Sequence, residues 1–349
     1  MSAHVHIEAA ELCAPGVPSG MRFDRADLPV LAREIDGLCA ALGRAPPAQI
    51  VHSAEFAIRL HQPAGWFAAR KSVLGLGWPL LQVLDADELR AALALAFVGA
   101  SVRPGVLTGG DDVRLGARLG VPLLARTLTR LALAAELARS DWLAGLSERA
   151  RRHPEPPVRA LGELRRCLEA RGRGGWRPLL DILPADARLA ALGGATLAGG
   201  SHRSAAAAFY WAGLAERIWT ALEAPFDALL APLWAQCHAA HAPARERARS
   251  LEKRRREGAL TVEESAELAL LVETIAGARA AHPLWREAWA RARRPQVALG
   301  LARTLHALDP LRARSALERL AASQPEVSAD ARALLARLPV TFVRLPETA

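Results

Sequence analysis

Residues 56–102 read FAIRLHQPAGWFAARKSVLGLGWPLLQVLDADELRAALALAFVGASV, and this stretch decides the fold. Within Glu55–His61, Phe56, Ile58 and Leu60 alternate with Ala57, Arg59 and His61, the period-2 pattern of a strand with one wet face. Gln62–Gly65 reads as a turn, and Ser72–Leu76 as another strand, stopped by Gly77-Trp78-Pro79. Just upstream, Ile50-Val51-His52 is short and apolar. Together the three segments predict a small antiparallel sheet. Asp85-Ala86-Asp87-Glu88 then carries the spacing of a capping box: the Asp85 carboxylate can accept the Glu88 N–H while Glu88 reaches back to Asp85. The helix that follows, from Ala86 to about Ser101, is apolar almost all round through Leu89, Leu93, Leu95, Phe97 and Val98. That pattern predicts a central, buried helix.

Outward from this stretch the chain reads as helix. Residues 1–22, with Pro15, Gly16, Pro18 and Gly20, are expected to form a flexible leader. Leu28, Leu31, Ile35, Leu38 and Leu42 recur at three and four, which predicts a helix over Asp27–Leu42 closed by Gly43. After a loop at 104–112, helical segments are expected at 113–149 and 158–170, separated by Pro154, Pro156 and Pro157. Arg171–Gly175 reads as a loop, 184–192 as a helix, and Ala205 to about His241 as one or two long helices carrying Trp211, Trp219, Phe226 and Trp234. From Pro295 to Leu338, Asp309-Pro310 and Gln324-Pro325 split three short helices into a hairpin-repeat-like region. The expected architecture is mainly α (α+β), with a domain at 23–292 and a helical-repeat-like region at 293–342.

Composition agrees. Aromatic residues make up only 5% of the 349, and Ala, Leu and Arg dominate, which disfavours an all-β fold. The net charge of +9 rests almost wholly on arginine, since Lys71 and Lys253 are the only lysines. The densest basic run, Arg245–Arg256, is interleaved with Glu246 and Glu252, as on a solvated helix face, and lacks an aromatic for base stacking. Nucleic acid is thereby disfavoured as a partner. No uncharged run reaches the ~20 apolar residues of a membrane span. Cys13, Cys39, Cys167 and Cys237 form no CxxC pair, and the N-terminus lacks the pattern of a secretory signal, so the expectation is free thiols in a cytoplasmic protein.

The common catalytic signatures are absent: no GxxxxGK[ST], GxGxxG, GxSxG or HExxH occurs. His238 and His241 stand at i, i+3 but lack a third ligand; His4 and His6 lie in the leader; His61 is on the wet side of its strand. Cys167 follows Arg165 and Arg166, which would favour its thiolate, with no base identifiable.

The stretch quoted at the outset resembles the zinc metallopeptidases of the HtpX and CAAX-prenyl-protease kind. That family follows a strand pair with a segment of the form lxLGlPLLexLspeElrAVLAHElGH. Here the matching residues are Leu74 to Leu81, Leu84, Glu88 to Ala91, Leu93 and Ala94. The chemistry is missing where the match ends: the resemblance puts Leu95 at the first zinc His, Ala96 at the general-base Glu and Gly99 at the second His. The family's third ligand, from an ExxxD motif, aligns with Ile182, leaving Asp186 as the surviving acid. His282-Pro283-Leu284-Trp285-Arg286-Glu287 resembles the segment that often closes the family's catalytic domain. The resemblance implies a zincin-like helical domain refilled as ordinary core, with no catalytic residue, metal or cofactor.

The expected function is therefore that of a catalytically inactive metallopeptidase-like protein that binds a protein or peptide partner. Two alternatives stand beside it: an active metallopeptidase holding zinc through other residues, such as His61, His202, His238 or His241, and a nucleic-acid-associated protein acting through the 245–256 basic helix.

Overall fold

The computed structural model describes residues 20–61, 72–98, 115–174, 180, 187–197 and 205–337. In chain order they form β1 (Met21–Phe23), α1 (Pro29–Ala41), β2 (Gln49–Ser53), β3 (Ile58–His61), β4 (Val73–Gly77), α2 (Trp78–Leu81) and α3 (Ala86–Phe97). Then come α4 (Val121–Leu137), α5 (Ala144–Arg152), α6 (Ala160–Gly174), α7 (Ala187–Ala191), α8 (Ala206–Tyr210) and α9 (Ala215–Ala240). The last five are α10 (Ala242–Arg256), α11 (Val262–Arg291), α12 (Pro295–Leu305), α13 (Pro310–Ser323) and α14 (Pro325–Arg337). The fold is mainly α with one small sheet near the N-terminus. The described residues divide into two compact units, 20–144 with 157–232, and 145–156 with 233–337.

In the first unit the sheet has four strands in the order β1-β2-β4-β3. It is mixed, whereas the sequence led us to expect three antiparallel strands: β1 and β3 pair antiparallel with their neighbours, but β2 and β4 run parallel, with Ile50 opposite Leu74 and His52 opposite Leu76. Burial explains the order. Ile50, Val51, Leu74 and Leu76 are all fully buried, and continuously apolar strands take the centre of a sheet. The strand with charge, β3, goes to the edge, where Arg59 and His61 are half-buried. Residues 1–19 of the expected leader lie outside the described residues, and its end, Met21–Arg22, belongs to β1. Strand β3 is shorter than the alternation implied. Ala57, read as wet, is buried, and its carbonyl accepts the Gly77 N–H at 2.8 Å. Only glycine permits this approach: a Cβ on residue 77 would lie 2.1 Å from the Glu55 carbonyl oxygen.

The capping box forms as expected. Asp85 Oδ1 accepts from Glu88 N at 2.8 Å, and Asp85 N donates to Glu88 Oε2 at 2.9 Å. Helix α3 then buries Leu89, Leu93, Leu95 and Phe97 to 1% exposure or less. At roughly 1.5–3 kcal/mol per fully buried side chain, such a helix is held by burial rather than propensity. A polar pin accompanies it. Glu88 Oε1 accepts from Arg126 Nε on α4 at 3.0 Å, and Arg130 Nε lies 3.1 Å from the same oxygen without hydrogen-bond alignment, its Nη1 donating instead to the Val83 carbonyl. Helix α6 continues through the expected loop to Gly174, since two isolated glycines cost only about 1 kcal/mol each in a helix.

The second unit is built from helical hairpins. Pro295, Pro310 and Pro325 each open a helix at its first position, where proline loses no hydrogen bond. Trp285 packs flat against α12, where a Cβ at Gly300 would come within 2.6 Å of the ring. Helix α11 begins with a second capping box, Thr261 and Glu264, and breaks at Gly277, where φ is +80°. Two side chains of α5 attend this break: Arg151 Nη1 donates to the Thr274 carbonyl at 2.8 Å, and the Glu148 carboxylate stands 3.2 Å from where a Cβ on residue 277 would be. The cation thus meets the carbonyl end of one half-helix and the anion the amide end of the next, as the helix dipole favours.

Candidate functional site

Of the four positions the family resemblance assigns to catalysis, Leu95 and Ala96 are described. They lie in α3 at 0% and 3% exposure, packed as core. Gly99 and Ile182 lie outside the described residues. Among the described residues, no three His, Cys, Asp or Glu side chains come together as metal ligands.

The alternative histidine ligands are dispersed or already engaged. His61 sits half-buried at the end of edge strand β3, its pKa lowered by burial and by the Arg59 charge. His202, with His4 and His6, is outside the described residues. In the second unit, His238 Nδ1 lies 2.9 Å from the Ala150 carbonyl oxygen, and His241 Nδ1 lies 2.9 Å from the Cys237 carbonyl oxygen. A ring whose Nδ1 donates to a backbone carbonyl is fixed in orientation, and here those bonds tie α9 to α5 and turn α9 into α10. Cys39, Cys167 and Cys237 are thiols, and burial followed by the Asp36 charge raises Cys39, the opposite of activation.

One histidine the sequence did not single out is chemically unusual. His52 in β2 is fully buried, with the rings of Phe23, Trp78 and Trp211 edge-on around it at centroid distances of 5.0, 5.4 and 4.9 Å. Among the described residues, neither ring nitrogen makes a hydrogen bond of acceptable geometry, and the Trp78 and Trp211 indole N–H groups likewise have no partner. Burial drives the His52 pKa down to about 3, with the Leu76 backbone opposing weakly. The ring is therefore a neutral core aromatic, out of reach of solvent for proton transfer. No sequence signal marks it, since an isolated His in an apolar strand is the whole of its local context.

The 245–256 basic run is helix α10, and most of its cations are internally committed. Arg245 Nη1 donates to the carbonyls of Arg151 and His238 at 2.6 and 2.8 Å. Arg247 grips Glu267 of α11 through two bonds of 2.8 Å. Arg254 pairs with Glu264, and Arg255 with Glu252 and Glu287 at 3.2 and 3.0 Å. Exposed pairs of this kind are worth about 0–1 kcal/mol each, so their chief effect is to fix the register of α10 against α11. The cations left over are Arg249 and Lys253, which have no hydrogen-bond or ion-pair partner among the described residues, and Arg256, which touches Glu252 loosely at 3.6 Å.

These three exposed cations line a surface groove of about 700 Å³ between α10 and the first half of α11. Ala248, Leu268 and Val272 supply its apolar lining, and Glu252 and Glu257 complete the wall. The capping box at Thr261 starts the α11 half that carries Leu268 and Val272, so the groove's apolar side is set by a local signal in the sequence: Thr261-x-x-Glu264 followed by apolar positions spaced by four. Chemically, the groove offers apolar surface beside three cations and the two carboxylates of Glu252 and Glu257. Comparison with known protein families, with curated proteins and with solved structures finds no match.

Proposed function

We propose that this chain is a non-catalytic, metallopeptidase-like polypeptide-binding module. One observation carries the reading: the groove between α10 and α11 joins an apolar lining to cations, Arg249 and Lys253, that no carboxylate among the described residues pairs with. Contact area from apolar atoms and orientation from a few charges is the usual makeup of a peptide groove. The positions that would hold zinc and the general base in an active relative support the non-catalytic part, because Leu95 and Ala96 are core side chains with no lone pair to offer. The test is selection of a displayed random peptide library on the purified full chain, beside elemental analysis and a casein-hydrolysis assay. The expected outcome is enrichment of peptides that bind saturably at one site, with no casein cleavage. Stoichiometric zinc accompanied by casein cleavage would overturn the reading in favour of an enzyme, and failure to enrich any peptide would remove the binding role.

A further inference from the structure

Resting on that polypeptide-binding reading, we infer that the α10–α11 groove selects an acidic amphipathic helix of a partner protein. The argument starts from charge. Within the groove, Glu252 is held by Arg255 at 3.2 Å and touched only loosely by Arg256 at 3.6 Å, and Glu257 stands beyond the end of α10, at its C-cap. Arg249 and Lys253, one helical turn apart, have no partner among the described residues, and Arg256 extends the same row by one further turn. The i, i+4, i+7 spacing makes a stripe of about 10 Å at 1.5 Å per residue. A ligand helix with carboxylates at the same spacing can match it point for point. Its apolar stripe, offset around its own axis, then covers the partly buried Ala248 and Val272, with the buried Leu268 as the floor beneath them.

A nucleic acid fits less well. Phosphate binding gains from a dense, unbroken row of cations, whereas this helix spends Arg245, Arg247, Arg254 and Arg255 on its own carbonyls and carboxylates. The groove lining also contains no aromatic ring on which a base could stack. A neutral apolar peptide would leave the cations without partners, so charge decides among peptides that share the same apolar face.

Lys253 gives the test a chemical handle, being one of two lysines in the chain. The probe is a fluorescein-labelled amphipathic peptide of about four helical turns, with Leu on one face and Glu at the matching spacing. Its control carries Gln in place of Glu. We expect the Glu peptide to bind the full chain at least about tenfold more tightly than the Gln peptide, by loss of complementary charge alone. The double variant Arg249→Glu, Lys253→Glu should erase that preference while leaving the thermal transition unmoved, since both side chains are exposed and unpaired. Carbodiimide should couple the Glu peptide to Lys253, and Lys253→Arg should abolish the coupling while keeping the affinity. Equal binding of the Glu and Gln peptides would overturn the acidic specificity and leave peptide binding standing. So would library-selected peptides whose affinity ignores the Arg249/Lys253 reversal. Displacement of the Glu peptide by a single-stranded oligonucleotide at lower concentration than by unlabelled Glu peptide would replace the inference with a nucleic-acid site. No binding by any selected peptide would sink both readings together.

Discussion

Lowering the pH should destabilise the first unit through His52, and the size of the effect follows from its surroundings. The ring is fully buried among Phe23, Trp78 and Trp211, and its nitrogens have no partner of good geometry among the described residues. Protonation would therefore place a charge where nothing receives either N–H. In the unfolded chain the imidazole titrates near 6.5; in the fold it titrates near 3. Because the folded pKa is the lower one, the unfolded state binds the proton first. The contribution to stability is fully present above pH 6.5 and is lost as the pH falls from there towards 3. Integrating the linkage relation from about pH 7 to about pH 4.5 gives a loss of about 2.5 kcal/mol from this one group. The assay is urea unfolding followed by tryptophan fluorescence at both pH values, for the wild type and for His52→Phe. The variant keeps an aromatic ring in the cage and cannot titrate. It should start within about 1–2 kcal/mol of wild type at neutral pH, from packing mismatch, and lose about 2.5 kcal/mol less on acidification. Carboxylates elsewhere titrate in both proteins and cancel in the difference. Identical losses in the two proteins would refute the reasoning and mean that the His52 ring is partnered or hydrated.

Glu88→Ala removes the carboxylate that both closes the α3 capping box and lies against Arg126 and Arg130, leaving the buried Arg126 with only the Asp85 carboxylate at 3.9 Å; a loss of about 3 kcal/mol in denaturant unfolding is expected, and a loss under about 1 kcal/mol would show that solvent reaches the cluster. Gly300→Ala pushes a methyl group to within 2.6 Å of the Trp285 ring, which cannot retreat easily because its indole N–H donates to Glu273 at 2.9 Å. Destabilisation of about 1–3 kcal/mol is expected in thermal melts, and an unchanged melting curve would show that the α11–α12 contact is looser than described.

The legible parts of this fold were those governed by neighbours in sequence. Asp85-Ala86-Asp87-Glu88 fixed where α3 begins, and the all-round apolar run behind it announced burial. The prolines at 295, 310 and 325 marked three helix starts, because proline's missing N–H suits only a first turn. Strand order was not legible. Whether β4 lies beside β2 or outside β3 depends on which strand can be buried on both sides, a comparison between segments rather than within one. Strand β1 escaped notice because three residues, Met21, Arg22 and Phe23, show no periodicity; their pairing with Ile50, Val51 and His52 defines them. The groove was half legible. Its cations stood out as a basic run, but separating spent cations from spare ones required knowing that Glu267, Glu264 and Glu287 of α11 fall opposite Arg247, Arg254 and Arg255.

The contacts around the Gly277 break also govern how the protein can be dissected. Arg151 reaches Thr274 across 123 positions of sequence, and Trp234 Nε1 donates to the His153 carbonyl across 81. Segment 145–156 is thus a structural part of the C-terminal unit, while the chain on both sides of it builds the other one. Ribosomal synthesis delivers this segment well before the helices it must join, so its pairing waits on long-range closure, a slow kind of step. The two units are interleaved along the chain, and no single cut separates them. Truncation at 232 would strip α5 of its partners, and expression from 233 onward would leave the Gly277 break without its flanking ions. Functions mapped by terminal deletion would therefore be lost in both directions at once, whereas point substitutions on the exposed α10 face leave both units whole.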